Sequence, residues 1–333
     1  MAHQHSNLKG VVFALLGFAA FSTHDAVIKV LGGAYAPFQI LFFSVLLGFP
    51  LATLMLMSDA SKGTLRPVHP WWLSLRCAAA VLTGVSAFYA FSVLPLAEVY
   101  TFIFAAPMII TILSIPILGE KVGVHRWAAV FVGLVGVLIV LRPGTTELTL
   151  GHLAGLGAAL GGALTSVITR KIGAEERSHV LMLYPMMTQF LVMGAILPFV
   201  YQPMPIEHLG LLGFMSLLGF GAALCLIGAY RNGDAAIIAP MQYSQILWAA
   251  LFGSLFFSEF PDQQTWIGVA VIVAAGVYVV LRESLGGRSE NTPVLRTRSR
   301  PETATAPRSS AIFKSRTGRT MRADKLEKNT PNP

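Results

Sequence analysis

Apolar residues occur along this chain in ten long runs, and short segments between the runs hold most of the polar and charged residues. Most runs have the roughly 17 to 25 residues that an α-helix needs to cross about 30 Å of hydrocarbon. The runs are continuously apolar, which excludes the alternating strands of a membrane β-barrel. The pattern therefore predicts ten transmembrane helices, over residues 8–31, 37–57, 71–94, 97–118, 126–141, 152–170, 180–200, 209–230, 235–257 and 265–281.

A motif that follows the fourth run recurs after the ninth. Leu118-Gly119-Glu120 has a Trp seven residues after its Glu, and Phe257-Ser258-Glu259 has another at the same interval. Each copy contains five predicted helices, and an odd number of crossings forces the second copy into the opposite orientation. The repeat predicts an all-α integral membrane protein in which ten transmembrane helices form two inverted five-helix repeats.

Composition supports a membrane protein. The chain is 54% hydrophobic and 12% charged, with a mean hydropathy of +0.66, whereas about 25% of the residues in an ordinary soluble domain are charged. The first run is too long for the apolar core of a signal peptide. It also holds His24, Asp25 and Lys29 where a cleavage site would need small residues, so we expect it to remain as a helix.

Basic residues indicate the orientation. With the N-terminus inside, ten Lys or Arg residues flank the cytoplasmic ends of the helices and two, Lys29 and Arg142, flank the outer ends. The positive-inside rule then predicts that both termini are cytoplasmic.

The sequence divides into three parts. Residues 1–142 form the first repeat, residues 143–282 the second, and residues 283–333 a basic tail. From Arg282 onward, twelve Lys or Arg stand against five Asp or Glu. A segment this polar cannot bury a core, so we expect a disordered cytoplasmic tail, either solvated or associated with anionic lipid.

Several kinds of chemistry have no motif in the sequence. No phosphate-binding loop of the G-x-x-x-x-G-K-[ST] type occurs, so the chain has no ATP-binding site of that type. Gly157 and Gly161 form a small-residue pair that favours close helix packing. Cys77 and Cys225 provide neither a disulfide framework nor a metal site. We expect no catalytic residue, metal, cofactor or nucleic-acid partner. The sequence leaves the oligomeric state open, and a monomer is compatible with the bundle.

Polar residues inside the predicted helices are the candidates for a binding site, because a charge near mid-bilayer costs at least about 2.5 to 3.5 kcal/mol. Asp25 is the clearest case. One interpretation is a structural ion pair with Lys29, four residues further along the helix. The other is that Asp25 and His24 contribute to a substrate or proton site.

The ninth predicted helix carries a second polar group. Gln242, Tyr243, Gln245 and Trp248 lie at a depth where amides need partners or water. They either line a cavity or form interhelical hydrogen bonds. Tyr89 and Tyr100, on the third and fourth helices, are candidates for aromatic cavity walls, although Tyr is also an ordinary interfacial anchor.

The chain resembles the EamA type of the drug/metabolite transporter superfamily. The resemblance rests on Gly119-Glu120, on its counterpart Ser258-Glu259, and on the connection 91–97 with its counterpart 230–236. It departs from the pattern at Ser258, where a Gly is expected. The resemblance implies a basket-shaped bundle with a central cavity, similar to bacterial inner-membrane carriers that include the YddG-type amino-acid exporters.

The function that we expect is therefore secondary transport of a small metabolite by alternating access. The first expectation is export of amino acids or similar amphipathic metabolites. Uptake of a larger compound such as S-adenosylmethionine or riboflavin is the alternative, and an intramembrane enzyme acting on lipid-linked substrates is a remote one. Direction and coupling ion are left open by the sequence.

Overall fold

The computed structural model describes residues 2–57, 65–120, 122–142, 148–173, 175–233 and 235–285, which are helical and contain no strand. Nearly all of the predicted tail, residues 283–333, lies outside these residues. The helices are α1 (Ala2–Gly32), α2 (Pro37–Met57), α3 (Pro70–Val93), α4 (Leu96–Phe104), α5 (Ala106–Leu118), α6 (Val124–Leu141), α7 (Leu150–Ile172), α8 (Ser178–Val200), α9 (Ile206–Asn232), α10 (Ala235–Ile238), a 3-10 helix (Ala239–Ser244), α11 (Gln245–Phe256) and α12 (Gln263–Leu285).

The fold is that of a multi-pass membrane protein. Within the described residues, six helical spans are long and apolar enough to cross a bilayer, and three apolar helices are shorter. Large apolar side chains cover the outer surface: Phe131 is 70% exposed, Phe199 87% and Leu247 64%. Such a surface would be unstable in water and suits contact with lipid. The all-α membrane fold is confirmed, while the inverted five-plus-five arrangement stays a prediction.

Two of the predicted helices are interrupted, contrary to expectation. The span 97–118 breaks at Ala105, between α4 and α5, and the span 235–257 contains the 3-10 helix. Pro107 is the second residue of α5, and Pro240 is the second residue of the 3-10 helix. Because proline has no backbone N–H and its ring collides with the carbonyl four residues earlier, it disrupts a continuous α-helix.

Small residues allow the helices to pack closely. A Cβ atom added to Gly161 of α7 would lie 2.6 Å from Thr83 Oγ1 of α3, and one added to Gly155 would lie 2.4 Å from the Phe102 ring of α4. A Cβ atom on Gly268 of α12 would lie 2.8 Å from the Gly136 carbonyl oxygen of α6. These approaches are too close for any larger residue, which agrees with the predicted packing role of the α7 glycines.

Candidate functional site

A buried hydrogen-bond network surrounds the Asp25 carboxylate. The Tyr100 hydroxyl of α4 donates to Asp25 Oδ2 at 2.5 Å, and His24 Nδ1 lies 2.9 Å from Asp25 Oδ1. The same hydroxyl lies 3.2 Å from Ser22 Oγ and 3.5 Å from Gln245 Nε2, at the start of α11. The structure thus brings together residues from α1, α4 and α11, which are far apart in the sequence.

The network is closed to its surroundings. The exposed fraction is 0% for Tyr100, 2% for Asp25 and Gln245, and 5% for His24. A carboxylate in such a place is stable only when donors satisfy its oxygens, as Tyr100 does here. It can accept hydrogen bonds from an ammonium group or carry a proton. Among the described residues, no group of three or more His, Cys, Asp or Glu is arranged to hold a metal ion.

Aromatic rings form the walls around this network. Phe104 stacks on Tyr100 at a centroid distance of 5.8 Å, and Phe88 packs edge-on to His24 at 6.3 Å. Tyr243 packs against the other side of Phe104 at 5.0 Å. Its hydroxyl covers Gly276 of α12, where an added Cβ atom would lie 1.7 Å from it. Tyr243 therefore contacts Phe104, which in turn contacts Tyr100 of the network.

Four of the predicted site residues, including Tyr243, take no part in the hydrogen bonds described around Asp25. Tyr89, Gln242 and Trp248 are half-buried. Gln242 lies in the 3-10 helix, three residues before Gln245, and only Gln245 approaches the Tyr100 hydroxyl. Trp248 packs on Phe252 at 5.8 Å. Ser22, in contrast, belongs to the network and was not predicted, because a serine in a helix is ordinarily bonded to its own backbone.

Lys29 pairs with Glu259, whereas an ion pair with Asp25 was one of the two interpretations of the sequence. Lys29 Nζ lies 2.7 Å from Glu259 Oε1 and donates to the Leu94 carbonyl oxygen at 2.5 Å. Glu259 Oε2 also accepts a hydrogen bond from the Leu96 backbone N–H at 3.2 Å. Lys29 lies one turn beyond Asp25, and its long side chain extends to the ends of neighbouring helices. It therefore contacts Glu259 and Leu94, which are distant in the sequence.

The two Glu residues of the repeated motif occupy the same local backbone structure. Gly119 and Ser258, the residues before them, have left-handed φ angles of 70° and 55°. The N–H of Glu120 bonds to the Ser114 carbonyl at 3.4 Å, and the N–H of Glu259 bonds to the Gly253 carbonyl at 2.9 Å, six residues back in each case. Both Glu residues therefore follow a helix C-terminus that is closed by a residue in the left-handed conformation. Ser258 therefore adopts the backbone conformation for which the family pattern has Gly.

Glu120 also has a basic partner. Its Oε1 pairs with the Arg170 guanidinium near the end of α7, and both side chains are buried, with 6% and 11% exposed. The sequence placed both residues at helix ends but did not predict their contact. They are 50 residues apart in the chain, and no spacing rule connects them.

A polar cleft of about 220 Å³ lies beside the Lys29–Glu259 pair. Glu259, Glu98, His152, Arg142 and Asp262 contribute to its lining. His152 Nε2 lies 3.6 Å from Glu98 Oε2. Arg142 donates a hydrogen bond to Asp262, which lowers the pKa of that exposed carboxyl to about 2. Sequence reasoning missed this cleft because its charged residues come from four separate helix ends.

Comparison with known proteins gives a consistent picture. Residues 8–142 and 149–282 each match the model of the EamA-like transporter family. An S-adenosylmethionine uptake transporter of Rickettsia prowazekii (strain Madrid E) is 25% identical over 277 residues, which cover 83% of this chain and 94% of that protein. The pseudopaline exporter CntI of Pseudomonas aeruginosa (strain UCBPP-PA14) is 28% identical over 274 residues, covering 80% and 94%.

A solved crystal structure is also similar. It has a TM-score of 0.55 and 18% identity, and the match covers 86% of this chain and 99% of that one. At this identity the likeness shows the fold alone.

Proposed function

Because the chain belongs to the EamA-like transporter family, whose members are transporters and not enzymes, we propose that it is a secondary carrier of a small metabolite in a bacterial inner membrane. In this proposal two inverted five-helix halves alternate the access to a central site. Both termini are cytoplasmic, as the distribution of basic residues predicts.

The observation that carries the proposal is the buried network around Asp25. Its side chains are at most 5% exposed, so a substrate reaches them only when the helices around them move apart. Asp25 then offers an anionic partner, while Tyr100 and Gln245 offer directional hydrogen bonds. Tyr89, Gln242, Tyr243 and Trp248 are proposed to line the wider cavity that such a movement opens.

The substrate that we favour is an amino acid or a metabolite that keeps the ammonium group of an amino acid. S-adenosylmethionine, named for the Rickettsia relatives, carries both an ammonium group and a sulfonium cation. A buried carboxylate among aromatic rings suits such a cation. Export of an amino-acid metabolite is the second candidate, which the similarity to the pseudopaline exporter favours.

Counterflow in proteoliposomes tests the proposal. Vesicles that hold the purified protein are preloaded with unlabelled S-adenosylmethionine or with one of the amino acids, and entry of the labelled compound is followed. We expect exchange for a compound with an ammonium group, and at least about tenfold less with Asp25→Asn, because a charged hydrogen bond contributes roughly 1.5 to 3 kcal/mol. Glu207→Gln, which removes an exposed carboxylate outside the polar cleft, is the control.

Two other outcomes are informative. Asp25→Asn that exchanges substrate normally but no longer accumulates it along a proton gradient would assign Asp25 to the proton. Full exchange and full accumulation in Asp25→Asn would contradict the proposed site.

A further inference from the structure

We propose that the Lys29–Glu259 and Arg170–Glu120 ion pairs are the two alternating latches of transport, one at each end of the bundle. This inference rests on the proposed function and adds four residues to it. In the transport cycle one latch opens while the other stays closed, so the Asp25 network faces one side of the membrane at a time.

Both latches are built in the same way. In each, a residue with a left-handed φ angle follows a helix, and the next residue is a Glu that forms an ion pair with a basic side chain. The bases also correspond: Lys29 lies three residues before the end of α1, and Arg170 two residues before the end of α7. Since α1 and α7 are the first helices of the two matched segments, the contacts are counterparts of each other.

Each latch joins the two segments that match the family model. Lys29 belongs to the first segment and Glu259 to the second, whereas Glu120 belongs to the first and Arg170 to the second. Breaking either pair therefore frees one half from the other at that place. Other ion pairs also cross between the segments, but Arg142–Asp262 and His69–Glu175 are more exposed. His152–Glu98 is longer, at 3.6 Å, and is an ion pair only when the histidine is protonated. Exposed pairs contribute little, so we assign them no latch role.

The latches lie at opposite ends of one membrane span. Glu259 accepts a hydrogen bond from the Leu96 N–H at the start of α4, and Glu120 follows the end of α5 at Leu118. The span Leu96–Leu118 has 23 residues, which corresponds to about 34 Å of helix. That length matches the thickness of the hydrocarbon core.

The Lys29 latch separates the Asp25 network from the polar cleft. Lys29 follows Asp25 by one helical turn, about 6 Å along α1. Glu259 lines the cleft on the other side, and the Lys29 ammonium lies over the Phe257 ring at 5.3 Å. The Lys29 side chain is 9% exposed and that of Glu259 25%. In this proposal a substrate that moves from the cleft to Asp25 passes these two side chains.

Cysteine accessibility tests the latches without any substrate. In a protein carrying Cys77→Ala and Cys225→Ala, Ser22→Cys places one thiol in the buried network, and an impermeant maleimide is added to either membrane face. We expect Glu259→Gln to raise the labelling rate about tenfold from the Lys29 end and to lower it from the other. Glu120→Gln should do the reverse. Glu175→Gln, which neutralises an exposed pair between the same segments, is the control and should change neither rate.

Two further variants guard against misfolding. The exchanged pair Lys29→Glu with Glu259→Lys should restore the original labelling ratio, and Glu259→Asp should give a smaller shift in the same direction as Glu259→Gln. If the variants change labelling equally from both faces, or leave it unchanged, the pairs are structural only and the inference is wrong. Opposite labelling changes in a protein that exchanges none of the tested substrates would keep the latches and reject the proposed substrate.

Discussion

Tyr100 is the residue at which the candidate site can be tested with the smallest change. Its hydroxyl contacts the Asp25 carboxylate and approaches Ser22 and Gln245, so one oxygen atom links three helices. Tyr89, one turn from the end of α3, has the same side chain, is half-buried and lies outside these bonds. The chain thus contains a matched pair of tyrosines for an experiment.

We expect Tyr100→Phe to lower the initial rate of counterflow roughly two- to tenfold, because one lost hydrogen bond is worth about 0.5 to 1.5 kcal/mol. Tyr89→Phe should have a smaller effect, because Tyr89 is proposed to line the wider cavity but makes none of the hydrogen bonds around Asp25. Rates are measured in proteoliposomes and divided by the amount of inserted protein. Equal losses in the two variants would show that the Asp25 bond has no special role.

Hydropathy singled out polar residues that lie together in the structure, but it gave no information about several of their partners. Asp25, Tyr100 and Gln245 stand out because polar side chains are costly inside apolar helices. The pairing of Lys29 with Glu259 was not predicted, because spacing along one helix gives no information about residues that follow another helix. Ser22 gave no signal, because a serine hydroxyl ordinarily bonds to the helix that carries it.

At the scale of elements, hydropathy predicted where helices lie but not where they break. The apolar runs at 97–118 and 235–257 continue through Pro107 and Pro240, and membrane helices often tolerate proline. Pro116 and Pro185 lie inside continuous helices, whereas Pro107 and Pro240 coincide with the interruptions, so the presence of a proline does not by itself predict a break. The repeated helix end was predictable, because two copies of one motif occur in one chain.

Ser258 provides a test of that helix end. A non-glycine residue in the left-handed region costs roughly 1 to 2 kcal/mol, so Ser258→Gly should stabilise the protein by about 1 kcal/mol. Gly119→Ser, at the equivalent position, should destabilise it by a similar amount. The midpoint of thermal unfolding in detergent should rise in the first variant and fall in the second, and a fall in both would show that the Ser258 side chain is needed.

At the scale of the whole molecule, the distribution of basic residues predicts that both termini are cytoplasmic. Glu207 at the start of α9 and Glu175 after α7 are both exposed and lie at opposite ends of the predicted topology. In a protein without Cys77 and Cys225, Glu207→Cys should react with an impermeant maleimide added to intact cells. Glu175→Cys should react only after the membrane is permeabilised. The reverse result would invert the assigned topology.

The pairing of charges in the two latches has an electrical consequence. Each latch joins one cation to one anion, so its opening separates charges locally but carries no net protein charge across the membrane field. The membrane potential then acts mainly through the substrate, at about 2.3 kcal/mol per elementary charge for each 100 mV. A potential that is negative inside would therefore draw a cation such as S-adenosylmethionine inward, and it would leave the distribution of a zwitterionic amino acid unchanged.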